Sequence, residues 1–351
     1  MPGPPQVSLA LHGAAMANST MQLHSREDVV LAAPLMLGYW PGESVCAIFV
    51  DHDDHVHFVM RWDLAPTPDD GTPADLPLPP LAAPGEELPA GFHLVAYLLG
   101  ESPDHADVDW WVDAARSLEA SGIPRGRVLV AARRDHRVVW RSVSGTPDGC
   151  HDASEADVRE TDIDRAAKRR GLPRILAGRA EFVADVAADE VAASRIGEAL
   201  SAVGHAQVVG EDGRDDAIRA VRRLLTARVP TDLDFARALV ALLDIRVRDT
   251  VLWDVMHEDP GTWTALAARL ATMVSAAPES HVSAPATLLS ILRWQMGDGS
   301  RASAAVERAL AADPGYTLAQ LVQQCLACGM HPAIWREGLQ DLSREDCRRT
   351  A

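Results

Sequence analysis

The stretch Leu288-Leu289-Ser290-Ile291-Leu292-Arg293-Trp294-Gln295-Met296-Gly297-Asp298, running on through Ala302, Ala305 and Ala309-Leu310 to Asp313-Pro314, decides how the second half of this chain folds. Bulky apolar residues recur at helical spacing up to Gln295, and Gly297-Asp298 then supplies a turn. The next segment carries Ala302, Ala305 and Ala309, spaced to share one face of a second helix. Side chains that small let two helix axes approach closely, so the stretch predicts a tight helical pair that Asp313-Pro314 closes. One pair cannot cover its own apolar face, which implies more helices packed on either side.

Both neighbouring regions repeat the helical rhythm. Downstream, residues 318–342 carry Gly329 at a turn, with Trp335 and Leu339 on the helix that follows. Upstream, period 3.6 is legible at 162–170, 179–188, 191–203, 215–228, 233–243, 246–256 and 262–276. Before residue 160 the rhythm is different. A helix over Arg26–Leu37 opens on a capping box from Ser25 and Asp28, and Pro34 is expected to kink it or end it early. Strands at 45–50 and 55–62 form a hairpin around Asp51-His52-Asp53-Asp54. Residues 65–91 are proline-rich and read as a surface loop. The apolar run 92–99 reads as a strand buried on both faces, followed by a helix over 105–120 and strands at 128–132 and 138–143. One parallel crossover therefore joins the strand at Phe92 to that at Val128. Residues 145–158 read as a polar loop.

The expected fold class is α+β: an N-terminal mixed β-sheet with flanking helices, then an all-α helical domain. The expected divisions are a disordered tail over 1–24, an α+β domain over 25–185, a helical domain over 186–342 and a C-terminal tail over 343–351.

Fifty acidic side chains against 33 basic ones leave a formal net charge of −17. Such a field repels phosphate backbones and anionic lipid heads, so neither nucleic acid nor a membrane is an expected partner. The basic cluster Arg165, Lys168, Arg169, Arg170 and Arg174 reads as a solvated helix face, with an anion or partner site as the alternative. Five cysteines, sparse and odd in number, suit a reducing compartment. The first basic residue is Arg26, so no positively charged secretory start precedes it, and Met16 or Met21 can serve as an initiator. The expected location is cytoplasmic.

Candidate chemistry is thin. His55 and His57 share a strand face near Asp51, Asp53 and Asp54, and with a carboxylate they have the donor types of a metal site. A hydrated hairpin tip explains them as well. Cys325 and Cys328 stand one helical turn apart, with His331 and Cys347 downstream, a spacing that suits either zinc or small core residues between helices. Gly42-Glu43-Ser44-Val45-Cys46 lacks the second glycine of a nucleophile elbow. Gly297-Asp298-Gly299-Ser300-Arg301-Ala302 follows a helix, the wrong context for a dinucleotide fingerprint. The single lysine, Lys168, follows Ala167, which removes a phosphate-binding Walker loop. Glu43, Ser44, Arg61 and Asp63 bracket one hairpin and supply groups for proton transfer and anion orientation. Structural roles serve them equally: a turn cap for Ser44, and an ion pair between Arg61 and Asp63. No cofactor is implied.

The helical pair at 288–314 resembles a tetratricopeptide repeat, in which a bulky first helix, a Gly-Asp turn and a small-residue second helix recur. A second resemblance covers most of the chain, from about residue 25 to 340. Ala33-Pro34-Leu35-Met36-Leu37-Gly38-Tyr39-Trp40-Pro41-Gly42-Glu43-Ser44-Val45 and Arg61-Trp62-Asp63-Leu64-Ala65 are similar to motifs of an uncharacterised actinobacterial family, domain of unknown function 4192. Ala65 departs from that family's proline. Asp313-Pro314-Gly315-Tyr316 and Gly329-Met330-His331-Pro332 resemble its C-terminal signature. The family has no assigned activity, so the resemblance implies a domain plan and no mechanism. The reading that follows is a non-catalytic module for protein interaction or self-association. The alternative is an enzyme or small-molecule binder that uses the N-terminal domain.

Overall fold

The computed structural model describes residues 7–11, 21–63, 89–99, 115–116, 118–120, 122–134, 137–143, 154–169, 175–203, 210–327 and 329–349. Contacts divide the chain into two compact units. One holds Met1–Glu181 with Gly297–Ser300 and Cys325–His331; the other holds Phe182–Met296, Arg301–Gln324 and Pro332–Ala351.

Among the described residues the first unit is built on a sheet of seven strands: β1 (Val7–Leu11), β2 (Ser44–Val50), β3 (Val56–Asp63), β4 (Gly91–Leu99), β5 (Arg125–Arg134), β6 (Arg137–Ser142) and β7 (Ser154–Arg159). Their spatial order is β1-β3-β2-β4-β5-β6-β7, and only β4 and β5 run parallel. Strand β2 is buried at every position, as its unbroken apolar run requires. The expected hairpin, buried strand and parallel crossover are all present. Most of the helix expected at 105–120 lies outside the described residues. Its last turn buries Ala115 and Leu118 and ends at Gly122, whose φ of 88° is one that glycine adopts without strain. The proline-rich loop over 65–91 lies outside the described residues up to position 88.

Helix α1 (Arg26–Leu37) packs on the sheet and starts with the capping box of Ser25 and Asp28. Pro34 was expected to bend or stop it, yet the helix continues to Leu37 and closes at Gly38. Pro34 has no N–H to give to the Val30 carbonyl four residues earlier. The buried Tyr97 hydroxyl donates to that carbonyl instead, at 2.6 Å. A side chain from the central sheet thus replaces the missing helical hydrogen bond.

Two expectations about loops are corrected in this unit. The segment read as an N-terminal tail contributes β1, which pairs with β3 from Val7 opposite Trp62 to Leu11 opposite Phe58. Met21 and Leu23 are buried at the start of β3, with Val56 N–H donating to the Met21 carbonyl at 2.7 Å. Without β1, one edge of β3 would leave a row of backbone groups unpaired. The polar stretch read as a loop over 145–158 contains most of β7, a charged edge strand against β6. Helix α2 (Glu160–Arg169) follows it.

From residue 179 onward the described residues hold helices and turns. These are α3 (Arg179–Ala184), α4 (Glu190–Val203), α5 (Gly210–Thr226), α6 (Asp232–Ala241), α7 (Ile245–Met256), α8 (Trp263–Ala276), α9 (Ser283–Gln295), α10 (Gly299–Ala312), α11 (Thr317–Ala327), α12 (Pro332–Gly338) and α13 (Arg344–Arg348). The fold class is α+β, as the change of rhythm requires. Helices α9 and α10 form the expected close pair: Ala302, Ala305 and Ala309 are fully buried. Two hydroxyls stitch the pair together, Ser290 donating to the Ala302 carbonyl at 2.7 Å and Ser283 to the Ala309 carbonyl at 3.1 Å. The turn between them places Gly297 at φ 81°.

The C-terminal segment read as a tail forms α13, which Ser343 and Asp346 cap and which packs on α7. Ion pairs dock it: Arg344 grips the buried Asp254 carboxylate through Nε at 2.6 Å and Nη2 at 3.2 Å, and Arg348 reaches Asp215 at 2.8 Å. Among the described residues no helix is long and apolar enough to cross a membrane.

Candidate functional site

The β2–β3 register sets Ser44 opposite Asp63 and Cys46 opposite Arg61. Directly opposed residues project to the same face of a sheet, so Ser44, Cys46, Arg61 and Asp63 gather on one face. Arg61 is buried, pairs with the half-exposed Asp63 carboxylate, and donates from Nη2 to the Gly42 carbonyl at 3.5 Å. Its guanidinium lies 5.9 Å from the centre of the Tyr39 ring. Glu43 sits at the mouth of β2 with φ 40°, a left-handed conformation uncommon for a residue with a side chain. Three of the four candidate residues therefore share one face of the sheet.

That face is poor in reactive groups. Burial pushes the Cys46 thiol up to about 12, with Arg61 and Ser44 opposing the effect, so a thiolate is not available at neutral pH. Burial also raises the Tyr39 hydroxyl, against the pull of Arg61. Ser44 Oγ is enclosed, with the protonated Cys46 thiol as its neighbour on the same strand face.

Among the described metal candidates, His55 Nδ1 lies 3.3 Å from the Asp51 carboxylate. Asp51 accepts hydrogen bonds from the backbone N–H of Asp53 at 2.8 Å and of His55 at 2.9 Å, which orders the hairpin tip. His57 is exposed and its ring lies against Phe58. Cys325 is buried in α11, and Cys328 lies outside the described residues. Among the described residues no three His, Cys, Asp or Glu side chains gather as metal ligands.

A sizeable concavity belongs to the second unit. Helices α7, α11 and α12, with residues from Leu339 to Cys347, enclose about 450 Å³. Its wall is mostly Leu252, Trp253, Met256, Leu318, Trp335 and Leu339, while Leu321 and Leu342 are exposed at its edge. Polar contacts fix the wall. Trp253 Nε1 donates to the Leu342 carbonyl at 3.0 Å, and the His257 ring stacks on the Trp253 ring at 3.6 Å. Arg248 Nη1 donates to the Tyr316 hydroxyl at 3.0 Å, and its Nε and Nη2 hold Asp249. Cys347 borders the recess, and burial with the nearby Asp249 and Asp346 carboxylates raises its thiol above the ordinary value. A recess of this size and lining suits an apolar group. The first unit has a smaller cavity of about 80 Å³, beside Trp40 and Ile163, with room for a few waters at most.

The recess escaped the sequence reading, although α11 carried a signal. Ala319, Val322 and Leu326 are its buried face. Leu318, Leu321 and Cys325 form a second apolar row one residue away, an arc wider than one packed neighbour requires.

The comparisons agree with the motifs. The family model described as Domain of unknown function (DUF4192) matches residues 27–333. The chain belongs to this family. No curated protein and no solved structure matches it.

Proposed function

We propose that this protein is a non-catalytic interaction module whose helical unit receives an apolar side-chain cluster from a partner protein. The carrying observation is the recess of about 450 Å³ lined by Leu252, Trp253, Met256, Leu318, Trp335 and Leu339. Exposed leucines at its lips extend the contact surface beyond the concavity, which favours a protein segment over a small molecule enclosed on all sides. The close α9–α10 pair, tetratricopeptide-like in its Gly-Asp turn and buried alanines, supplies the kind of stacked scaffold on which such surfaces are built. The net charge of −17 speaks against nucleic acid and anionic lipid as partners.

The test uses the full chain immobilised in an extract of its source cells. Leu252→Trp fills the recess and Leu321→Asp charges its lip. A partner retained by the wild-type protein and lost from both variants supports the proposal. A bound set indifferent to both substitutions overturns it. Light scattering on the same proteins shows whether the partner is a second copy, since only then does the mass rise with concentration and fall back in the variants.

A further inference from the structure

We infer that the segment seated in this recess is acidic as well as apolar, a bulky apolar side chain with a carboxylate close to it in sequence. The inference rests on the recess being a docking site and adds the chemistry of the occupant. Three charged residues line the recess: Arg248, Asp249 and Arg336. Arg248 and Asp249 satisfy each other, at 2.6 Å and 2.8 Å. Arg336 is different. It is exposed on α12, its Nη1 donates to the Gln295 amide oxygen at 3.3 Å, and it forms no ion pair with any described residue. Helix α11, which also lines the recess, carries no charged residue.

Arg336 thus places a guanidinium without a carboxylate at the lip of an apolar concavity. A neutral apolar segment would fill the space between Trp253 and Trp335 and leave the Arg336 fork in water. A basic segment would meet like charge. A segment with Asp or Glu beside its apolar residue satisfies both: the side chain enters the recess and the carboxylate takes the fork in a two-point contact. Such pairing at a rim contributes to specificity and association rate more than to affinity.

Two dyes with one skeleton separate the two claims. N-phenyl-1-naphthylamine is neutral, and 8-anilinonaphthalene-1-sulfonate adds an anionic group. With the full chain at low salt, both should bind saturably, the sulfonate about fivefold tighter, a modest gain expected of an exposed charge pair. Added salt should erase that margin. Arg336→Glu should reverse the preference, and Leu252→Trp should abolish binding of both dyes. Failure of either dye to bind, or survival of both in Leu252→Trp, overturns the docking site itself. Equal binding that ignores Arg336→Glu overturns only the acidic preference. Random peptides selected on the full chain give the direct readout: sequences should carry Asp or Glu next to Leu, Phe or Trp, and should lose that bias on Arg336→Glu. A charge-blind or basic set contradicts the inference.

Discussion

At the scale of single residues, the closest coupling is that among Pro34, Val30 and Tyr97. The buried Tyr97 hydroxyl is the donor that keeps the Val30 carbonyl satisfied despite the proline. Tyr97→Phe should therefore destabilise the protein by about 1–3 kcal/mol, the cost of an orphaned buried acceptor. Adding Pro34→Ala should recover part of that loss, because the new backbone N–H can take the same carbonyl; urea unfolding of the two single variants and the double variant measures it. The capping box at Ser25 and Asp28 was legible because its partners lie within one turn. The tyrosine was not, since it lies 67 positions from its acceptor. Acid behaviour also belongs to this scale. Hydrogen bonds from Thr231 hold the Asp234 carboxyl below its ordinary 3.8, and Arg308 holds Glu279 below 4.5. Groups depressed on folding stabilise fully above their unfolded values and lose that contribution as pH falls through the lower folded ones. Stability should thus fall below about pH 4 and be less steep in Asp234→Asn, as urea midpoints between neutral and acid pH will show.

Among elements, the small residues of α10 and the ion pairs of α13 make opposite kinds of contact. Ala305 is fully buried in the α9–α10 pair, so Ala305→Leu should overpack it at a cost of about 1–3 kcal/mol, read as a lowered thermal midpoint. Helix α13 is held by charge. Asp254 receives Arg344 and also Arg222, the latter at 3.1 Å. Asp254→Asn removes the charge that holds both guanidiniums, so amide exchange in Arg344–Arg348 should accelerate while the core amides of α6 keep their protection. Uniform acceleration would mean that α13 is not a separable element. Helices with internal apolar periodicity, such as those over Ile245–Met256 and Trp263–Ala276, were readable from their own residues. Elements at the margins were not. Strands β1 and β7 are sheet edges defined by what they pair with, and α13 is docked by a carboxylate 90 residues away. Local pattern carries no trace of such partners.

Taken as a whole molecule, the protein owes its plan to a switch from strand to helix periodicity, and that switch is visible in one pass along the chain. The candidate site is less visible. Sequence motifs directed attention to Glu43, Ser44, Arg61 and Asp63, of which the last three do share a sheet face, but Arg61 and Asp63 are engaged with each other and with the hairpin. The recess depends on residues from Arg248 to Cys347 that no short motif connects. Only the doubled apolar row of α11 hinted at it. Site-specific photocrosslinking tests the recess most directly. A benzophenone side chain replaces Leu321 or Gln340 at its lip, and Val191, exposed on α4, in a control. The account predicts that both lip positions crosslink to one segment of one protein, with apolar and acidic residues together, and that the control does not. Adducts that are absent, scattered, or as frequent from Val191 would contradict it.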